Sequence, residues 1–162
     1  MNPEERQAKI EKYGKAYEEL SAFLKTLSKE KIAYKPAPEK WSAHEIVVHI
    51  ADAEANSYVR LHKALAEPGG MIFAYDQDAW AKNLDYSHRN FDDHLELFRL
   101  LRKTAYDLIK NLPDEKWSNQ YNHSEYGLVG LDRWLDIYVG HIPGHIAQIE
   151  RNLAHMKENL VK

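Results

Sequence analysis

Residues 141–151 read H-I-P-G-H-I-A-Q-I-E-R, and whether Pro143 and Gly144 stop a helix here decides the architecture of the whole chain. A proline inside a helix removes the hydrogen bond to the carbonyl four residues back, here that of Val139, and disfavours helical geometry at the residue before it, Ile142. The apolar pattern argues the other way. Leu131, Leu135, Tyr138, Ile142, Ile146, Ile149 and Leu153 keep a three-to-four-residue period through the Pro-Gly pair. The stretch therefore predicts a last helix that opens near Gly130 and is kinked at Pro143 but continuous.

Outward from this stretch, three more helices are predicted. Asn2, Pro3, Glu4 and Glu5 supply an N-cap, a proline at the first helical position and acids at the positive end of the dipole. The stripe Ile10, Tyr13, Tyr17, Leu20, Leu24, Leu27 then predicts a first helix over residues 3–28. In W-S-A-H-E-I (41–46), Ser42 and Glu45 have the spacing of a capping box, and Trp41 and Ile46 can staple across it, so a second helix opens at Ala43. Ile46, Ile50, Ala53 and Leu61 carry it to about Ala66, where E-P-G-G stops it. Asn90 caps a third, with Phe91, Leu95, Phe98, Leu101, Ala105, Leu108 and Ile109 on one face before N-L-P-D ends it.

The connection from Pro68 to Asn90 is longer than an antiparallel helix pair needs. It reads as irregular chain with one short turn of helix in A-Y-D-Q-D-A-W (74–80), able to cross the bundle. P-E-K-W-S (38–42) recurs as D-E-K-W-S (114–118), a match short enough to be either a relic of a duplicated hairpin or chance. No strand pattern appears. The expectation is an all-α four-helix bundle, one domain over residues 1–162.

Composition narrows the function. The chain has 162 residues, 44% of them hydrophobic, which suits one core of ordinary size. A net charge of -3 without any segment rich in Lys and Arg gives phosphate backbones and anionic lipid little to hold, so neither nucleic acid nor a membrane is expected as a partner. M-N-P-E-E-R-Q-A-K-I lacks the apolar run of a signal peptide, and no stretch approaches the roughly 18 apolar residues of a membrane helix; a soluble cytoplasmic protein is expected. The absence of cysteine excludes disulfides, Cys-bound zinc and a Cys nucleophile. Any metal ligand must then come from side chains such as His, Asp or Glu.

On a helix, residues four apart sit about 40° apart around the axis, so His141 and His145 can chelate one ion, with Gln148 on the same face. His49, on the apolar stripe of the second helix, is the candidate third ligand, and Asp52 lies one turn beyond it. Spacing alone leaves the bland reading open: paired helical histidines are commonly just hydrogen-bonded, and a lone His on an apolar face is commonly core. His44, His62, His94 and His155 read as solvated helix positions, His88 as a loop residue, and His123 as a residue able to line a cleft.

W-S-A-H-E-I-V-V-H-I-A-D-A-E (41–54) followed by H-I-P-G-H-I-A-Q-I-E-R resembles the DinB-like superfamily, in particular its YfiT-type metal-dependent hydrolases. Y-D-Q-D-A-W-A (75–81), L-F-R-L-L-R and E-Y-G-L-V-G-L-D-R-W-L extend the likeness over nearly the entire chain. The resemblance implies an up-down-down-up four-helix bundle with a long crossover between helices 2 and 3. It also implies a zinc or nickel ion held by three histidines, here His49, His141 and His145. Two departures stand out: Gly130 where relatives often have a Thr or Ser cap, and Pro143-Gly144 between the ligands.

Three neutral histidines leave a divalent ion its full charge and an open position, which is the arrangement of a catalytic site. The expected function is a metal-dependent hydrolase acting on a small molecule, with metal-bound water as nucleophile. Asp52 and Gln148 are candidates for proton transfer and for orienting a ligand or the substrate. The resemblance implies one alternative, a thiol S-transferase using bacillithiol or a similar low-molecular-weight thiol; another is a non-catalytic dimeric binding module. A homodimer is expected from the resemblance and from Trp80, Trp117 and Trp134, which read as a surplus of large aromatics for one small core.

Overall fold

A computed structural model describes residues 1–160. α1 (Pro3–Gly14) opens on Asn2, whose side chain accepts from the Glu5 N–H at 2.8 Å. It does not run on to residue 28 as predicted. The helix is interrupted at Lys15, restarts as α2 (Ala16–Leu24), and is followed by a short α3 (Lys29–Ala33) capped by Ser28. At the break the Tyr106 ring packs so closely on Gly14 that an added Cβ would lie 2.7 Å from Tyr106 Cδ2. Gly14→Ala is therefore expected to lower stability by about 1 kcal/mol, overpacking outweighing alanine's helix propensity. A urea midpoint above wild type would show that the ring moves aside freely.

α4 (Ala43–Ala66) starts and ends where predicted. Both halves of its capping box form, with the Glu45 N–H donating to Ser42 Oγ at 3.1 Å and the Ser42 N–H donating to Glu45 Oε2 at 2.8 Å. α6 (Phe91–Ile109) opens on Asn90. The connection before it carries β1 (Met71–Ile72), α5 (Gln77–Asn83) and a 3-10 turn at Tyr86–His88.

After α6, a 3-10 turn at Asp114–Ser118 leads into β2 (Gln120–His123) and β3 (Gly127–Gly130). β1 pairs parallel with β2, matching Ile72 to His123, and β2 pairs antiparallel with β3, matching Gln120 to Gly130. This three-stranded sheet corrects the expectation of no strands. Strands of two to four residues are too short for alternation to register as a pattern.

α7 (Leu131–Leu160) is continuous through Pro143. With α1–α2, α4 and α6 it forms the four-helix bundle: α4 packs on α6 and α7, and α1 packs on the same two helices. The apolar core has two clusters, one around Tyr13, Trp134 and Tyr121 beside the sheet, the other around Leu20, Ile46, Phe98 and Ile142. Trp117 and Trp134 are both buried in the first cluster, so they are core residues and not a surplus of aromatics at the surface. No helix of the described residues is long and apolar enough to cross a membrane.

Where the two clusters meet lies an ion pair that the helical pattern did not reveal. Arg102 and Glu54 have side chains only 1% exposed. The guanidinium donates from Nε to Glu54 Oε1 at 2.8 Å and from Nη2 to Oε2 at 2.6 Å. Tyr13 donates its hydroxyl to the same carboxylate at 2.8 Å, and Arg102 Nη1 reaches the Tyr13 carbonyl at 3.2 Å, beside the break at Gly14. Arg102 also lies over the Tyr13 ring at 3.9 Å and the Phe98 ring at 5.0 Å.

Candidate metal centre

α4 contributes His49, and the unbroken α7 contributes His141 and His145 on successive turns. One ring nitrogen from each of the three lies within 4.8 Å of the others. Pro143 and Gly144 thus leave the pair in register: His141 Nε2 and His145 Nε2 are 3.1 Å apart. Donor nitrogens around a tetrahedral zinc, at about 2.0–2.1 Å from the ion, are about 3.3 Å from one another.

The hydrogen bonds say which nitrogens are available. His145 Nδ1 donates to Gln148 Oε1 at 2.9 Å, which leaves its Nε2 as a lone pair. Nδ1 of His49 and Nδ1 of His141 are buried without a partner. With His141 protonated at Nδ1, two lone pairs face each other across the short Nε2 contact, an arrangement that a cation between them relieves. The donor set fits a divalent ion.

Ring packing surrounds the cluster. Trp41 stands 4.8 Å from His49 and Tyr138 6.0 Å from His141, centroid to centroid. Burial is the main reason that all three imidazoles are held below their ordinary pKa. His49, also facing His145, is lowered to about 3. His141, burial being joined by His145, His49 and Arg102, lies well below the usual value, and His145 is lowered less because Gln148 opposes the effect. Neutral imidazole is the form that binds metal.

A stability dependence follows for the metal-free protein. The folded pKa of His49 lies below its unfolded value, so the unfolded chain binds the extra proton. Stability is full above the unfolded pKa near 6.5 and is lost as pH falls from there toward about 3. Between pH 7 and 5 the loss from this residue is expected to be about 2 kcal/mol. Urea midpoints of chelator-treated wild type should fall more steeply over that range than those of His49→Phe; equal slopes would contradict a buried neutral imidazole.

His49 and His141 line a cavity of about 410 Å³ together with Arg60, Tyr75, Tyr121 and His123. The sheet that the sequence did not reveal supplies the last two. His123 is buried, while Arg60 belongs to α4, about three turns along the same face from His49. Asp52 does not meet His49. Its carboxylate accepts from the Tyr86 hydroxyl at 2.5 Å, and so ties the 68–90 connection to α4. His44, His62 and His88 all lie away from the cluster, bonded respectively to the Arg89 carbonyl, the Tyr58 carbonyl and Asp85.

Fold and site together define a class, the helical bundle with three converging histidines, two of which line a cavity. The DinB superfamily model matches residues 12–149, and the chain belongs to that superfamily. It is 29% identical over 109 residues to a candidate metal-dependent hydrolase of Oceanobacillus iheyensis, an alignment covering 67% of this chain and 63% of that one. It is 30% identical over 110 residues to YfiT of Bacillus subtilis, which bears the same description, covering 67% and 62%. For a Bacillus cereus relative, again so described, the values are 29% over 131 residues, 81% and 75%. The chain thus spans less than two thirds of the length of the first of these relatives. The solved structure of Bacillus subtilis YfiT, described as having an unusual four-helix bundle topology, superposes with a TM-score of 0.88 over 97% of this chain and 90% of that one at 23% identity, a likeness of fold.

Proposed function

We propose that this protein is a metal-dependent hydrolase in which His49, His141 and His145 hold a zinc or nickel ion, acting on a small molecule that enters the adjoining cavity. The observation that carries the reading is the convergence of three neutral imidazoles, one buried and two half-buried, of which His49 and His141 line that cavity. The description of its relatives as candidate metal-dependent hydrolases supports it. A divalent ion with three neutral ligands and an open position supplies Lewis acidity, lowering the pKa of water toward about 7 and polarising a carbonyl oxygen.

The chain's own residues do the rest. Gln148 holds His145 in the tautomer that leaves Nε2 free. Trp41 packs against the His49 ring and Tyr138 against that of His141, which limits their rotation and keeps water from their outer sides. Asp52 positions the 68–90 connection through Tyr86.

The test is turnover of a panel of activated esters and amides by the zinc- or nickel-loaded protein, with and without an added low-molecular-weight thiol. Hydrolysis independent of thiol, lost to a chelator and restored by metal, is the expected result. Turnover only in the presence of thiol would replace this reading with the thiol-transferase one.

A further inference from the structure

We propose that the end of the cavity remote from the histidines is a carboxylate subsite, so that the substrate is a small organic acid whose acidic group lies away from the bond that reacts. The proposal rests on reading the three-histidine cluster as the reactive end. Two arginines line the cavity, Arg60 from α4 and Arg133 from α7. Helix rise puts the Arg60 Cα about 16 Å from that of His49, and the Arg133 Cα about 12 Å from that of His141. Both Cα atoms therefore stand toward the other end of the same space, and the side chains reach back from there, that of Arg60 as far as the Tyr138 hydroxyl.

Neither arginine has a counter-ion: among the described residues, no carboxylate pairs with Arg60 or Arg133. Arg60 donates from Nη1 to the Tyr138 hydroxyl at 3.0 Å, while its Nε is buried with no acceptor. His123 adds a second orphan donor. The Glu125 backbone N–H donates to its Nδ1 at 3.2 Å, which puts the ring proton on Nε2, and that nitrogen is buried without a partner. Both orphan nitrogens are sealed from the cavity, so the donors a ligand meets are the terminal nitrogens of Arg60 and Arg133.

Buried donors without acceptors are costly, and a half-buried guanidinium without an anion more so. A carboxylate answers the guanidinium, because its two oxygens accept at once from the terminal nitrogens of the fork. The one acid on the cavity wall, Glu125, is exposed on the β2–β3 turn and bonds neither arginine through its side chain. Arg133, itself exposed, adds positive charge at the mouth. Tyr75, Tyr121 and Val129 give the space between the ends an aromatic and apolar wall for the body of the ligand.

The experiment is calorimetric titration with 4-phenylbutyrate and its uncharged amide, against wild type, Arg60→Met, Arg133→Met and His145→Ala, each checked for an unchanged melting transition. Arg133 is exposed, so that variant keeps the test alive if Arg60→Met does not fold. Wild type should prefer the acid to the amide by about tenfold or more. His145→Ala should keep this preference, while either arginine variant should lose most of it. A preference retained in both arginine variants would overturn the proposal. So would a preference lost only in His145→Ala, which places the carboxylate at the metal and leaves the three-histidine reading intact.

Discussion

Arg102→Met is expected to lower the free energy of unfolding by about 3–5 kcal/mol. The loss arises less from the attraction removed than from what remains. Glu54, 1% exposed, would keep one hydrogen bond from Tyr13 but no positive partner. An unpaired carboxylate in the bundle core must either stay charged in a poor solvent or take up a proton, and both destabilise the fold. The Tyr13 carbonyl beside the Gly14 break loses its donor as well. A domain of this size has a total stability of only about 5–15 kcal/mol, so the variant should be marginal at 37 °C. Urea denaturation checks it, with Glu54→Leu/Arg102→Met as the companion: the double variant should recover part of the loss, since it removes the buried charge but leaves the Tyr13 hydroxyl without its acceptor. A loss below about 1 kcal/mol in the single variant would mean that water reaches the pair.

His141→Ala is expected to abolish stoichiometric binding of zinc or nickel while leaving the far-ultraviolet circular dichroism close to wild type. His141 contributes the Nε2 that faces His145 at 3.1 Å, so its removal leaves two imidazoles from different helices, and the α7 chelating pair is gone. Alanine favours the helix, and the position is only half-buried, so the bundle should tolerate the change. His49→Ala should behave in the same way toward metal, with a larger cost in stability because His49 is fully buried against Trp41. Full metal occupancy in either variant would contradict the ligand set.

Much of this fold is legible where one short segment carries both the signal and its cause. The Ser42–Glu45 box places the start of α4, Asn90 that of α6, and the unbroken apolar period outweighs Pro143 in α7. The candidate site was legible for the same reason, because His141, His145 and Gln148 share one helical face and His49 lies on an inward stripe. What stayed hidden depends on partners distant in the chain. The Tyr106 ring of α6 packs on Gly14 beside the break, and no pattern around Gly14 contains that contact. Glu54 and Arg102 each read as ordinary helix charges until α4 and α6 bring them together away from water. Asp52, spaced to serve His49, is taken by Tyr86 from the 3-10 turn. The sheet that brings His123 opposite Arg60 is made of strands too short to show alternation.

The most direct measurement is the metal content of protein purified without an affinity tag or chelator, by inductively coupled plasma mass spectrometry, beside His145→Ala prepared identically. The account predicts close to one zinc or nickel per chain in the wild type, lost in the variant. A wild-type chain that takes up neither ion, even after incubation with both, would contradict it.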